Sequence, residues 1–255
     1  MADQLFELKG KTALVTGSTS GIGKTLAEGL ARNGVTVLVN GRNTEKAEAV
    51  KNEFIEKGYS AYTAVFDVTS SEEIRQAADR IALDPGIPDI IVNNAGINLR
   101  HPLEDFPEEE WDAVIDTNLK SAYLVTRAFI KAMIKRGSGK IINIGSLQSE
   151  LGRTTITPYA ASKGGIKMLT RGMATEWAQH NIQVNAIGPG YYKTPLTRPL
   201  YEDPEFNAWL KQRTPARRWG ATEELVGTLL FLGSAASDFV TGQLIFVDGG
   251  ITASV

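Results

Sequence analysis

Short runs rich in Val and Ile return along the chain: TALVT (12–16), VTVLVN (35–40), YTAVFD (62–67), DIIVNN (89–94), KIINIG (140–145), IQVNAI (182–187) and QLIFVD (243–248). Most carry apolar residues at successive rather than alternate positions, the pattern of strands covered on both faces. Between them, apolar residues recur at helical spacing. In KTLAEGLARNG, Leu26 and Leu30 lie one turn apart, as do Ala27 and Ala31, and Gly34 offers a helix stop. EEIRQAADRIA, EEEWDAVIDTNLKSAYLVTRAFIKAMIKRG and GIKMLTRGMATEWAQHN behave alike, the second reading as one long helix over 108–136. Strand and helix in repeated alternation predict an α/β architecture: a doubly wound (Rossmann), mostly parallel seven-stranded sheet with helices on both faces.

One region breaks the alternation. Residues 188–220, GPGYYKTPLTRPLYEDPEFNAWLKQRTPARRWG, carry five prolines after the sixth predicted strand. An insertion there overhangs the usual ligand crevice of such a sheet, so it is expected to be a lid on one dinucleotide-binding domain spanning 1–255.

Charge and composition narrow the picture mainly by exclusion. The net charge is −2 with both signs dispersed, so a nucleic-acid partner is not expected. With no cysteine and two distant histidines, His101 and His180, no metal centre is expected. The opening MADQLFELKGKTALV lacks the pattern of a secretory leader, and no apolar run reaches the roughly 20 residues that cross a bilayer. A cytoplasmic protein with no membrane partner is the expectation.

Candidate chemistry begins in ALVTGSTSGIGKTLAEGL, where a strand passes through Gly17, Gly21 and Gly23 into a helix. Such a turn lets backbone amides approach a pyrophosphate, with the helix N-terminus adding partial positive charge. Gly17, Ser18, Ser20, Gly21, Ile22 and Gly23 are therefore candidate cofactor contacts. The second strand should end near the adenosine ribose, where NAD binders carry an acid. Here it reads LVNGRN, with Asn40, Gly41 and Arg42. The missing carboxylate and the guanidinium of Arg42 both favour the 2′-phosphate of NADP over NAD.

The stretch SLQSELGRTTITPYAASKGG places Ser146 thirteen positions before Tyr159, with Lys163 a further helical turn along. Tyr159 and Lys163 share a helix face. A nearby ammonium is expected to lower the phenol pKa and make it a usable acid and base. Ser146 can hydrogen-bond a carbonyl or alkoxide oxygen. Ala160, Ala161 and Gly164 are expected to let this helix lie close to a cofactor.

With TGSTSGIG, NNAG at 93–96, Asn118, Ser146, YAASK at 159–163, GPG at 188–190 and VDGG at 247–250, the chain resembles the short-chain dehydrogenase/reductase family over essentially its whole length. The resemblance implies hydride transfer between a nicotinamide cofactor and an alcohol or carbonyl. It implies a catalytic set of Asn118, Ser146, Tyr159 and Lys163, with Asn118 holding a water for proton relay. It further implies that Asp67 and Val68 flank the adenine, that Asn94, Ala95 and Gly96 line the cofactor cleft with Pro189 and Gly190, and that Thr194 lies near the carboxamide. Tyr159 and Lys163 would also touch the cofactor. A homotetramer is implied as well.

Finer stretches, among them GMATEWAQHNIQVNAIGPGYYKTPLT and RTPARRWG, resemble members of that family that interconvert D-gluconate and 5-dehydro-D-gluconate. A sugar acid needs a cation for its carboxylate and polar groups for its hydroxyls. Arg100, Gln148, Glu150 and Arg153 are the candidates, with Arg100 or Arg153 on the carboxylate. A 3-oxoacyl-carrier-protein reductase or another sugar or polyol dehydrogenase shares the catalytic set. From a different class, a non-catalytic NADP(H)-binding sensor would be expected to have lost Tyr159 or Lys163.

Overall fold

A computed structural model describes residues 2–254. Along the chain run α1 (Ala2–Leu5), β1 (Thr12–Val15), α2 (Gly21–Arg32), β2 (Thr36–Gly41), α3 (Thr44–Glu56), β3 (Ala61–Val65), α4 (Ser71–Leu83) and β4 (Ile90–Asn93). There follow α5 (Glu108–Ile115), α6 (Ser121–Arg136), β5 (Gly139–Ile144), α7 (Thr157–Trp177), β6 (Ile182–Pro189), α8 (Arg198–Tyr201), α9 (Pro204–Arg213), α10 (Val226–Gly233) and β7 (Leu244–Val247). All seven apolar runs became strands. They form one sheet of order β3-β2-β1-β4-β5-β6-β7. Every pairing is parallel.

The continuous apolar runs are explained by packing on both faces. On one face Ala13, Val15, Val37, Val39, Ile90 and Val92 meet Leu26 and Leu30 of α2, Phe54 of α3, and Leu229 and Leu232 of α10. On the other, Leu14, Leu38, Ile91, Ile141 and Val184 meet Ile74 and Ile81 of α4, Phe129 and Met133 of α6, and Met173 of α7. Successive strand residues point to opposite faces, so each strand needs apolar residues throughout. The strand order reverses between β1 and its neighbours β2 and β4, opening a crevice at their C-terminal ends where ligands of such sheets sit.

The expected helix over 108–136 is continuous but not uniform. Between α5 and α6, Asp116–Lys120 form a π-helical turn. Periodicity does not reveal it, because one widened turn hardly disturbs the apolar stripe. The 188–220 segment is also more ordered than its prolines suggest. It holds α8 and α9, and its Leu210 and Trp219 form a separate apolar cluster with Ile251.

Candidate active site

A cavity of about 600 Å³ runs from the Gly-rich turn to Tyr159, within the range of small-molecule sites. Gly17, Ser20, Gly21, Ile22 and Gly23 line one end. Ser20, the residue before α2, is extended and its side chain caps no helix amide, and the first turn carries no acid. The leading amides of a twelve-residue helix therefore remain available to an anion. This donor set suits a dinucleotide pyrophosphate. Gly23 is required by packing: a Cβ there would sit 2.3 Å from the Asn94 amide nitrogen and 2.4 Å from the Gly17 carbonyl.

The turn is held from beneath by Asn40, which sequence reading treated only as a missing acid. Its Oδ1 accepts the Gly17 N–H at 3.0 Å, and its Nδ2 donates to Ala64 O at 2.8 Å and Phe66 O at 3.2 Å. Ser18 is fully buried, donates to Val15 O at 2.7 Å and accepts from Asn40 N at 2.9 Å. It positions the turn rather than lining the cavity. Asn94 does both, lining the cavity and donating to Thr16 O at 2.8 Å.

Asp67, Val68 and Arg42 lie along the same wall. Arg42 is exposed and reaches Asp67 at only 3.5 Å, so its guanidinium is loosely held at the rim. Against the cost of burial, hydrogen bonds from Thr69 and the charge of Arg42 hold Asp67 below the usual carboxylate range. Ala95, Gly96, Pro189, Gly190 and Thr194 complete the lining. The cavity also takes in Thr19, Thr117, Tyr192 and Leu196, none of which carried a sequence signal.

Ser146, Tyr159 and Lys163 converge at the far end. The Ser146 hydroxyl donates to Gln148 Oε1 at 2.6 Å and accepts from the Gln148 N–H at 3.2 Å. Lys163 is buried, and its Nζ donates to Ile144 O at 2.7 Å. Burial pushes its pKa down to about 8.

The expected lowering of the Tyr159 pKa by Lys163 is not what the structure shows. Burial pushes Tyr159 up, Ser146 and Arg100 pull it down, and Tyr191 adds to the rise. Lys163 donates to a backbone carbonyl with its ammonium 5.7 Å from the phenol ring centre, and the desolvation of Tyr159 prevails.

Asn118 lies in the π turn and is buried. Its Oδ1 accepts from Ile97 N at 2.8 Å, while its Nδ2 donates to Ile97 O at 2.9 Å and Ser162 Oγ at 3.1 Å. The side chain is thus occupied with the loop after β4 and with α7, and does not line the cavity. The small residues of α7 differ in the protein they meet. Ala161 is exposed and a Cβ on Gly164 would meet nothing within 4 Å. It is Gly165 that permits close approach, since a Cβ there would come 2.7 Å from Leu119 of the π turn.

The four substrate candidates separate. Arg100 carries no hydrogen bond or ion pair among the described residues. Partial desolvation and the neighbouring Arg153 both depress its pKa, and it is close enough to Tyr159 to act on it electrostatically. Arg153 donates to Tyr191 Oη at 3.3 Å and stacks 4.6 Å from the Phe206 ring centre. Glu150 is ion-paired with Lys167 of α7. Gln148 is held by Ser146. His101 pairs with Glu110 at 2.8 Å and packs on Phe106, as a polar loop residue.

Residues 11–205 match the model of the short chain dehydrogenase family. The chain is 53% identical over 253 residues to the 5-keto-D-gluconate 5-reductase of Escherichia coli, covering 99% of this chain and 100% of the relative. It is 51% identical over 251 residues to the gluconate 5-dehydrogenase of Gluconobacter oxydans, covering 98% of each. Among solved structures it superposes, with a TM-score of 0.98 and 50% identity over 100% of both chains, on a gluconate 5-dehydrogenase from Burkholderia cenocepacia in complex with NADP and tartrate. Cleft, motif order and likeness agree, and the chain belongs to the short-chain dehydrogenase family.

Proposed function

We propose that this protein interconverts D-gluconate and 5-dehydro-D-gluconate with NADP(H). The observation that carries the reading is Arg100, an exposed cation with no protein partner among the described residues, which acts electrostatically on Tyr159 although Tyr159 and not Arg100 lines the cleft. An anionic substrate supplies what Arg100 lacks. The named relatives at about half identity support the same substrate. NADP is supported by Arg42 at the rim and by the cofactor of the Burkholderia cenocepacia enzyme.

When bound, the nicotinamide accepts or donates the hydride at the substrate carbon. The protein handles the proton. In oxidation the Tyr159 phenolate takes the hydroxyl proton, and in reduction the phenol returns it. Ser146 turns its O–H from Gln148 toward the substrate oxygen, where it opposes the developing negative charge. Arg100 orients the carboxylate and favours the phenolate by Coulomb attraction. Asn118 fixes the loop that carries Arg100 through both backbone groups of Ile97. Of the arginines of RTPARRWG, Arg218 pairs with Glu224 at 2.6 Å, whereas Arg213 binds Ser254 and Arg217 binds the Gln212 carbonyl.

The 188–220 segment acts as a lid in this reading, on one domain spanning 1–255. The protein works as a homotetramer in the cytoplasm, where the NADP pool lies. The assembly is supported by α10 and β7: Leu225 to Val247 hold one charge, Asp238, while Phe239 is fully exposed and β7 is half-exposed along its length at the sheet edge. Among the described residues no helix is long and apolar enough to cross a membrane. The test is turnover of each sugar acid with each cofactor, read by nicotinamide absorbance. Reduction of an acetoacetyl thioester without sugar-acid turnover would contradict the substrate and leave the catalytic set standing.

A further inference from the structure

Two arginines, Arg100 and Arg153, lie within electrostatic reach of each other, but they are built differently. Among the described residues Arg100 carries no hydrogen bond or ion pair. Arg153, seven residues after Ser146, has one guanidinium face covered by Phe206 of α9 and one N–H on the Tyr191 hydroxyl. Both partners belong to 188–220, and they are edge-on to each other at 5.6 Å. Tyr191 and Phe206 also pack on Trp219, which donates to Asn207 Oδ1 at 2.8 Å. Among the described residues, the Arg153–Tyr191 bond is the only side-chain hydrogen bond joining 146–156 to 188–220. Leu151 adds an apolar contact to the same cluster.

We propose that Arg153 is a positioning residue that latches 188–220 to the segment behind Ser146, leaving Arg100 as the cation for the substrate carboxylate. A guanidinium stacked on an aromatic ring and bonded through its edge is a planar contact that lysine does not reproduce. Its place matters because Thr194, Pro195 and Leu196, three to five residues after Tyr191, line the cavity against Gly21 of the Gly-rich turn. Loosening the latch therefore frees the cofactor as well as the substrate. A carboxylate ligand would affect sugar-acid binding alone.

The inference rests on 188–220 being a lid over a cofactor cleft, not on the identity of the sugar acid, so its test omits sugar acid in the first arm. NADPH release is timed by stopped-flow fluorescence, and tryptic cleavage after the exposed Lys193 is followed with and without NADPH. Arg153→Lys and Phe206→Leu are each expected to speed NADPH release and cleavage roughly 3- to 10-fold, with the double variant no faster than the faster single. Tyr191→Phe, which keeps the ring and removes the acceptor, is expected to give a smaller change in the same direction and serves if Phe206→Leu does not fold. Cleavage without NADPH reads the latch independently of cofactor affinity. The proposal is overturned if Arg153→Lys leaves release and cleavage at wild-type rates while raising the KM for gluconate, or if the Arg153 and Phe206 effects simply multiply.

Discussion

At the scale of single residues, the site is governed by what burial does to charge. Lys163 is folded with a pKa of about 8, below the 10.5 of an unfolded lysine. The folded chain thus binds fewer protons at this group, so its contribution to stability rises with pH from about 8 to 10.5, and the burial cost is fully present below 8. The difference in denaturant stability between wild type and Lys163→Met, measured without cofactor, is expected to show that slope. Tyr159 is displaced upward by burial, and Arg100 opposes the displacement. Removing this cation raises the phenol pKa further. Arg100→Ala is expected to move the rise of gluconate oxidation with pH toward higher pH and to increase the gluconate KM at least tenfold. An unmoved pH profile would remove Arg100 from the neighbourhood of the proton transfer. Thr155, exposed and β-branched, sits at φ +66°, a left-handed conformation that costs such a residue about 1–2 kcal/mol. Thr155→Asn is expected to gain about 0.5–1 kcal/mol in thermal or denaturant unfolding.

At the scale of elements, what was legible follows from how many residues repeat the same instruction. Each strand is a run of apolar residues facing two layers, so all seven could be read, as could the Gly-rich turn before α2. The π turn at Asp116–Lys120 could not, because it changes hydrogen bonding without changing the apolar stripe. Asn118 was legible only by likeness, and only the fold shows its amide bracing Ile97 and meeting Ser162. The direction of the Tyr159 shift was misread because helical spacing places Lys163 nearby but does not show how the fold buries the phenol. Asn40 was visible as a gap in the NAD pattern and invisible as the brace of the Gly-rich turn. At the end of β2, Arg42 faces the cleft rim with one weak partner. Arg42→Ala is expected to cut kcat/KM with NADP⁺ roughly ten- to hundredfold and leave NAD⁺ turnover within about twofold. Equal losses with both cofactors would contradict the 2′-phosphate assignment.

For the whole molecule, the sheet order brings together residues from the ends of six strands: the Gly-rich turn after β1, Arg42 after β2, Asp67 after β3, Asn94 after β4, Ser146 after β5 and Gly190 after β6. The surface around α10 and β7, where Asp238 is the one charge between Leu225 and Val247, is where copies of the chain are expected to meet. Light scattering should give four chain masses for the wild type, and Phe239→Glu, which places a charge on that surface, should give a smaller species. A monomeric wild type would count against this surface as an interface.

The central claim is a sugar-acid dehydrogenase that moves its proton through Tyr159. Its most direct test is the rate of nicotinamide reduction with D-gluconate, using NADP⁺ and NAD⁺ in parallel, for wild type and Tyr159→Phe. Robust turnover favouring NADP⁺, reduced at least a hundredfold in the variant with its NADPH binding intact, is the expected result. Gluconate turnover that survives loss of the phenol, or none in the wild type while the protein binds NADPH, would contradict it.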